Sequence, residues 1–128
     1  MGLLNKLFGS SNEEDKKVLP WVHLTQLEQL EDIERKSITK TQVIFKYSTR
    51  CGISRIVRNQ FEEDFDLPEN LVDLYFLDLI SYREVSNEVG YKFQVIHESP
   101  QLLVIKNGVA VTHASHGAIN DLDIKKVI

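Results

Sequence analysis

The chain has one cysteine among its 128 residues, which excludes an intramolecular disulfide. Folding therefore needs no oxidised cross-link, in agreement with a reducing, cytoplasmic location. Proline is scarce, with three residues, and there is no low-complexity tract or internal repeat. No apolar run approaches the ~20 residues of a membrane span, so no membrane partner is expected. Met1 to Phe8 is too short and too weakly basic for a secretory signal. Lys6 stands where the myristoylation pattern wants Ser or Thr. Leu3, Leu4, Leu7 and Phe8 have helical spacing and can meet a membrane surface, a partner or the parent domain. Gly9 to Lys17 is polar and reads as a linker. Residues 1–17 are therefore set apart as an N-terminal polar and amphipathic segment, and 18–128 as one domain with one core.

A second absence is local. No acidic residue occurs from Arg35 to Phe61, although the whole chain is acidic at −4. That stretch carries Arg35, Lys36, Lys40, Lys46, Arg50, Arg55 and Arg58, seven of the fifteen basic residues. A basic block of this kind is a solvated face or an attractor for anionic partners. Nucleic acid is a poor explanation, because the net charge is negative and no nucleic-acid motif accompanies the block. Four histidines and one cysteine are scattered without ligand spacing, so no metal site is expected.

What is present alternates between strand and helix patterns. Leu19 to Leu24 suits a short first strand, and Thr25 with Glu28 fits a capping box for a helix reaching about Arg35. Gln42 to Tyr47 reads as a strand buried on both faces. Ile53, Ile56, Val57, Phe61 and Phe65 give the next helix, which ends before Pro68. Leu71 to Ile80 is a further strand. Ser81 and Glu84 form a second capping box, opening a helix that Gly90 closes. Gln101 to Lys106 and Val109 to His113 form a hairpin through Asn107-Gly108. Asn120 is placed to cap a last helix bearing Leu122, Ile124 and Val127. The order β-α-β-α-β-α-β-β-α implies an α/β protein. Its mixed sheet starts with a βαβ unit and ends in a hairpin and C-terminal helix. That is the topology of the thioredoxin fold.

The sole cysteine, Cys51, falls where the central strand ends and the next helix begins. Helix-start N–H groups and nearby cations bias a thiol toward thiolate, the reactive form. A lone cysteine is also commonly a buried, inert one. Ser54, three residues on, shares a helix side with Cys51 and can bond either the sulfur or the local backbone.

Phe45-Lys46-Tyr47-Ser48-Thr49-Arg50-Cys51-Gly52-Ile53-Ser54, followed by His97-Glu98-Ser99-Pro100-Gln101, resembles the bacillithiol-system redox proteins of the YtxJ type, the monothiol bacilliredoxins. The resemblance runs from about Trp21 to the C-terminus. It implies a thioredoxin-like fold with Cys51 as the nucleophile. It also implies that Pro100 is a cis-proline facing Cys51, with the Ser99 backbone offered to an extended thiol ligand. An ordinary loop proline is the plain alternative. Many members carry proline where this chain has Gly52, and histidine where it has Tyr47. Lys46, Thr49, Arg50, Gly52 and Ser54 are the expected substrate-binding or thiolate-stabilising neighbours. For Arg50 the alternatives are a substrate carboxylate or solvent. His116-Gly117 resembles in position the glycine pair of glutaredoxins, whose amides bind the carboxylate of the thiol.

The resemblance implies a monothiol thiol–disulfide oxidoreductase. Such an enzyme removes bacillithiol, or a similar low-molecular-weight thiol, from thiolated client proteins. It has bacillithiol as co-substrate and no resident cofactor. Two other readings stay open. Cys51-Gly52-Ile53-Ser54 resembles the Cys-Gly-Phe-Ser motif of monothiol glutaredoxins, which carry a [2Fe–2S] cluster between subunits. A stress-response module without turnover is the other.

Overall fold

The computed structural model describes residues 18–128, and the N-terminal segment singled out above lies outside the described residues. Five strands form one sheet in the order β1-β3-β2-β4-β5. They are β1 (Trp21–His23), β2 (Thr41–Tyr47), β3 (Val72–Asp78), β4 (Gln101–Lys106) and β5 (Val109–Ser115). β1, β3 and β2 run parallel, β4 pairs antiparallel with β2, and β5 closes the hairpin on β4. The helices are α1 (Glu28–Lys36), α2 (Gly52–Asp64) and α3 (Arg83–Phe93).

Strand side chains alternate between faces, and the two faces of this sheet carry different layers. Ile44, Leu77 and Leu103 pack with Leu30 and Ile33 of α1 and with Val85, Val89 and Phe93 of α3. Val43, Phe45 and Tyr47 pack on the other face with Val57 and Phe61 of α2 and with Ile119. Trp21, Phe45, Phe61 and Phe76 stand in ring contact at centroid distances of 5.6 to 6.5 Å. β2 is buried along its whole length, its polar Gln42 and Lys46 included.

The expected elements all appear except the last, and several ends differ. The Thr25–Glu28 capping box does not form. Gln29 Oε1 accepts from the backbone N–H of both Thr25 and Gln26, at 2.8 and 2.9 Å, and so takes the role from a position further on. The Ser81–Glu84 box is pre-empted from the preceding strand. Asp78 accepts from the N–H of Ile80 and Ser81, and the Ser81 hydroxyl donates to it at 3.0 Å. Gly90 does not end α3, which runs on to Phe93 and stops at Gln94 in the left-handed conformation. The glycine is needed for close approach instead: a Cβ there would meet the Val95 carbonyl oxygen at 3.0 Å.

The hairpin turn is as expected. Asn107 and Gly108 both have positive φ, 54° and 82°, the pair a type I′ turn demands. No single C-terminal helix forms. Two 3₁₀ segments, His116–Asp121 and Ile124–Lys126, take its place. Asn120 docks rather than caps, donating to the Val57 carbonyl of α2 at 3.4 Å, and Asp123 caps the second segment through Lys125 N–H.

Candidate active site

The carboxyl ends of the parallel strands bring Tyr47 and Asp78 to the same edge of the sheet. From there the chain turns sharply through residues 48 to 50. Ser48 organises that turn: its carbonyl accepts from Cys51 N–H at 3.2 Å and its hydroxyl from Arg50 N–H at 3.3 Å. Neither bond has a sequence signature beyond the presence of a serine, and the residue has no assigned role in the sequence reading. The turn leaves Thr49 and Arg50 exposed and sets Cys51 as the N-cap of α2, in extended conformation and half-buried.

This placement decides the thiol's chemistry. The unpaired N–H groups of a first helical turn point toward the cap. Here the Ser54 and Ile53 N–H groups, with a smaller contribution from the Ser54 hydroxyl, hold the Cys51 thiol below its ordinary pKa against a small opposing effect of burial. No side-chain capping bond of full geometry closes at the sulfur, so it is stabilised while staying free to react. Ser54 is fully buried, and its Oγ also accepts from Ser48 N–H at 3.3 Å. Of the two roles left open for that hydroxyl, the bond to the local backbone is the one that forms with full geometry.

The Ser99–Pro100 peptide bond is cis. Pro100 is buried, and its carbonyl accepts from His116 N–H at 2.9 Å. The Ser99 hydroxyl is buried and has no protein partner among the described residues. His116 sits at φ 56°, in the left-handed region. The His116–Gly117 expectation is corrected in one respect: the His116 amide is already spent on Pro100, because the residue bends the chain from β5 back over that proline. Gly117 is exposed beside it.

The basic block divides. Lys46 does not reach the thiolate. It alternates with Phe45 and Tyr47, so it lies on the sheet face opposite α2, where it is wholly buried, with Nζ 3.2 Å from His97 Nδ1. Burial lowers its pKa from 10.5 to about 8. Arg58 is engaged by Glu62 at 3.3 Å and lies over the rings of Phe76 and Tyr47, at 4.7 and 5.3 Å. Arg50 and Arg55 are left exposed near Cys51. His97, quoted above only as part of a motif, has no role in the sequence reading. The signal that could have marked it is its place three residues before Pro100.

A groove of about 300 Å³ lies between the far end of α2 and the 3₁₀ segments, lined by Phe61, Phe65, Leu67 and Ile119 among others. Cys51 is at the other end of that helix, so the groove is not the reaction site. Among the described residues no group of three or more His, Cys, Asp or Glu is placed to hold a metal, and no helix is long and apolar enough to cross a membrane.

Gly52 opens α2, and a Cβ there would meet nothing within 4 Å. Proline is favoured at this first helical position, and Cys51 already holds the extended backbone that a following proline imposes. Gly52→Pro is therefore expected to stabilise the fold by about 0.5–1 kcal/mol by restricting the unfolded chain. It should leave the Cys51 pKa lowered, because the N–H groups responsible belong to residues 53 and 54. Urea denaturation and thiolate absorbance against pH check the two halves.

Residues 22–124 match the family model described as monothiol bacilliredoxin BrxC. Among solved structures, the chain is similar to a protein described provisionally as an oxidoreductase with a thioredoxin fold. They share 30% identity at a TM-score of 0.69, over 82% of this chain and 90% of that one. It is also similar to the thioredoxin Mala s 13 of Malassezia sympodialis, at 21% identity and TM-score 0.62, over 88% of this chain and 91% of that one. Thioredoxin 3 of Saccharomyces cerevisiae mitochondria matches at 16% identity and TM-score 0.65, over 84% and 92%. The last two likenesses establish the fold alone, and it is the fold that the order of elements implies.

Proposed function

The chain belongs to the monothiol bacilliredoxin family, and from that premise we propose that it removes bacillithiol from client proteins by monothiol disulfide exchange. A thiol redox role on a thioredoxin fold is supported by the family and by the similar oxidoreductase at 30% identity. Removal of bacillithiol in particular is supported by Cys51. It is the only thiol, half-buried at a helix start whose N–H groups favour its thiolate.

In the proposed reaction the Cys51 thiolate attacks the bacillithiol sulfur of a protein–bacillithiol disulfide. The Cys51–bacillithiol bond forms, the old disulfide breaks, and the client leaves as thiolate to take a proton from water. A free bacillithiol thiolate then attacks the bacillithiol sulfur held on Cys51. Bacillithiol disulfide departs and Cys51 is restored. A lowered pKa raises the thiolate fraction, while the departing thiol's own acidity and in-line access govern the rest of the rate. Bacillithiol is on this reading the co-substrate, and we assign recognition of its carboxylates to Arg50, Thr49 and the Gly117 amide, whose exposure supports that role.

Intact-mass spectrometry tests this. The protein is incubated separately with oxidised bacillithiol and oxidised glutathione. One adduct per chain is expected, mapping to Cys51 and forming faster with bacillithiol. Equal rates would remove the choice of thiol; no adduct with either would remove the exchange reaction.

A further inference from the structure

Two buried polar side chains stand side by side on the sheet face that α1 and α3 cover. Lys46 of β2 and Gln101 of β4 are Cα partners in the antiparallel ladder, and both are sealed from solvent, at 0% and 1% exposure. Residues directly opposite in such a ladder project from the same face. Their heads reach consecutive residues of the connection between α3 and β4. Gln101 Nε2 donates to the Ile96 carbonyl at 2.9 Å, and Lys46 Nζ meets His97 Nδ1 at 3.2 Å.

Between the buried Val95 and Pro100, that connection has little packing of its own. Ile96 is 87% exposed, and His97 and Glu98 are exposed beside it. Beyond them come Ser99 and the cis-proline, whose carbonyl is fixed by His116 N–H. Apolar packing does not account for a lysine in this place. An unbranched apolar side chain would fill the same space without desolvating a charge. What an ammonium adds is the reach and direction of its head, which lands on His97.

The geometry points to Lys46 and Gln101 as a two-point clamp on residues 96 and 97 that positions the Ser99–Pro100 segment against the disulfide at Cys51. Lys46 is on this account a positioning residue. The inference rests on the mixed-disulfide reading given above. At pH 7 the Lys46 ammonium can only donate, so the contact then needs a neutral His97 imidazole with Nδ1 as the acceptor. The groups acting on His97 are Lys46 from β2, Arg83 from α3 and Glu98 from its own segment. Burial, then the two cations, lower its pKa, with Glu98 opposing them, so the imidazole is neutral at pH 7. As pH falls through the His97 pKa, two cations come to face each other and the clamp loosens.

The full chain and its Lys46→Met and Gln101→Leu variants are compared in three measurements. The first is the 15N order parameter of the amides of residues 96 to 99, expected to fall from about 0.85 to below about 0.6 in either variant as the segment is released. The second is turnover of a bacillithiolated peptide. KM is expected to rise about tenfold with kcat nearly unchanged. The wild-type KM should also rise as pH is lowered through the His97 pKa, which lies below 6.5, an increase that Lys46→Met abolishes and Gln101→Leu keeps. The third is alkylation of Cys51 by iodoacetamide, which does not use residues 96–100 and is expected to be unchanged.

Unchanged order parameters at 96–99 in both variants overturn the clamp, whatever the turnover. So does an unchanged KM with an unchanged pH profile in Lys46→Met. A wild type that alkylates normally yet never releases the peptide overturns the mixed-disulfide reading, while the order parameters still decide the clamp.

Discussion

Cys51→Ser is expected to abolish both the small-thiol adduct and turnover, with no loss of stability. The chain has no other thiol, and its one methionine carries a thioether that cannot exchange with a disulfide. A serine hydroxyl at the same place is not ionised by two or three helix-start N–H groups, because its acidity is far weaker than a thiol's. The fold should not suffer. Cys51 is half-buried at an N-cap, and serine is among the preferred N-cap residues, able to accept from the N–H groups that now face the sulfur. The variant should therefore unfold at the same or slightly higher urea concentration, which separates lost chemistry from lost structure.

The wild type makes the complementary point. With one cysteine it cannot close an internal disulfide, so a single turnover must leave the small thiol on Cys51 until free thiol arrives. The rate should rise with added bacillithiol and be close to zero without it. Intact mass, mapping of the adduct and a peptide-release assay check these together. Turnover in the serine variant, or rapid wild-type cycling with no free thiol present, would defeat the monothiol mechanism.

How far the sequence carries can be judged residue by residue. The strand–turn–helix around Cys51 is legible because three signals agree: a buried apolar run, a break of small and charged residues, then a 3.6-residue apolar period. The hairpin is legible because Asn-Gly satisfies a backbone need that few pairs meet. The helix starts are less so. A capping box is a statement about two residues, and here Gln29 and Asp78, each outside the motif, offer acceptors that the backbone takes instead. Gly90 misleads for a similar reason: glycine marks either a helix end or a close approach, and only the path of Val95 decides between them.

The basic block shows the limit most directly. Seven cations share one stretch of chain, but proximity in sequence says nothing about the side of the sheet. The alternation in β2 does place Lys46 opposite Phe45 and Tyr47. Which of those faces α2 would cover depends on the crossover, a fact of tertiary structure. Sequence alone puts Lys46 and Arg58 near the thiol, yet one is buried on the far face and the other is held by Glu62 and two rings. The partner of Lys46, fifty-one residues away in the chain, has no local signal.

That buried ammonium leads to the second large effect: Lys46→Met is expected to raise folding stability by about 3 kcal/mol at pH 7. Burial lowers the Lys46 pKa from 10.5 to about 8. Each pKa unit corresponds to ~1.4 kcal/mol between the two protonation states, so the charged form is disfavoured by about 3 kcal/mol in the fold. The direction with pH follows from proton counting. The folded pKa lies below the unfolded one, so between pH 8 and 10.5 the unfolded chain binds more protons than the native one. Stability contributed by this group therefore rises with pH across that window, and the penalty is present in full below about pH 8. Methionine carries no charge and should show neither the penalty nor the rise. The imidazole left without its donor is exposed to water, so its loss adds little. Urea denaturation of both proteins at pH 7 and near pH 10 checks this, with the gap wide at the lower pH and narrow at the higher. A variant less stable at pH 7, with a pH profile parallel to the wild type, would mean that the ammonium stabilises the core and would take away the reason to look for its purpose elsewhere. A more stable variant whose residues 96–99 have lower order parameters and which binds peptide more weakly would show a global gain beside a local loss. That combination is what a group kept for positioning, against the interest of the core, should give.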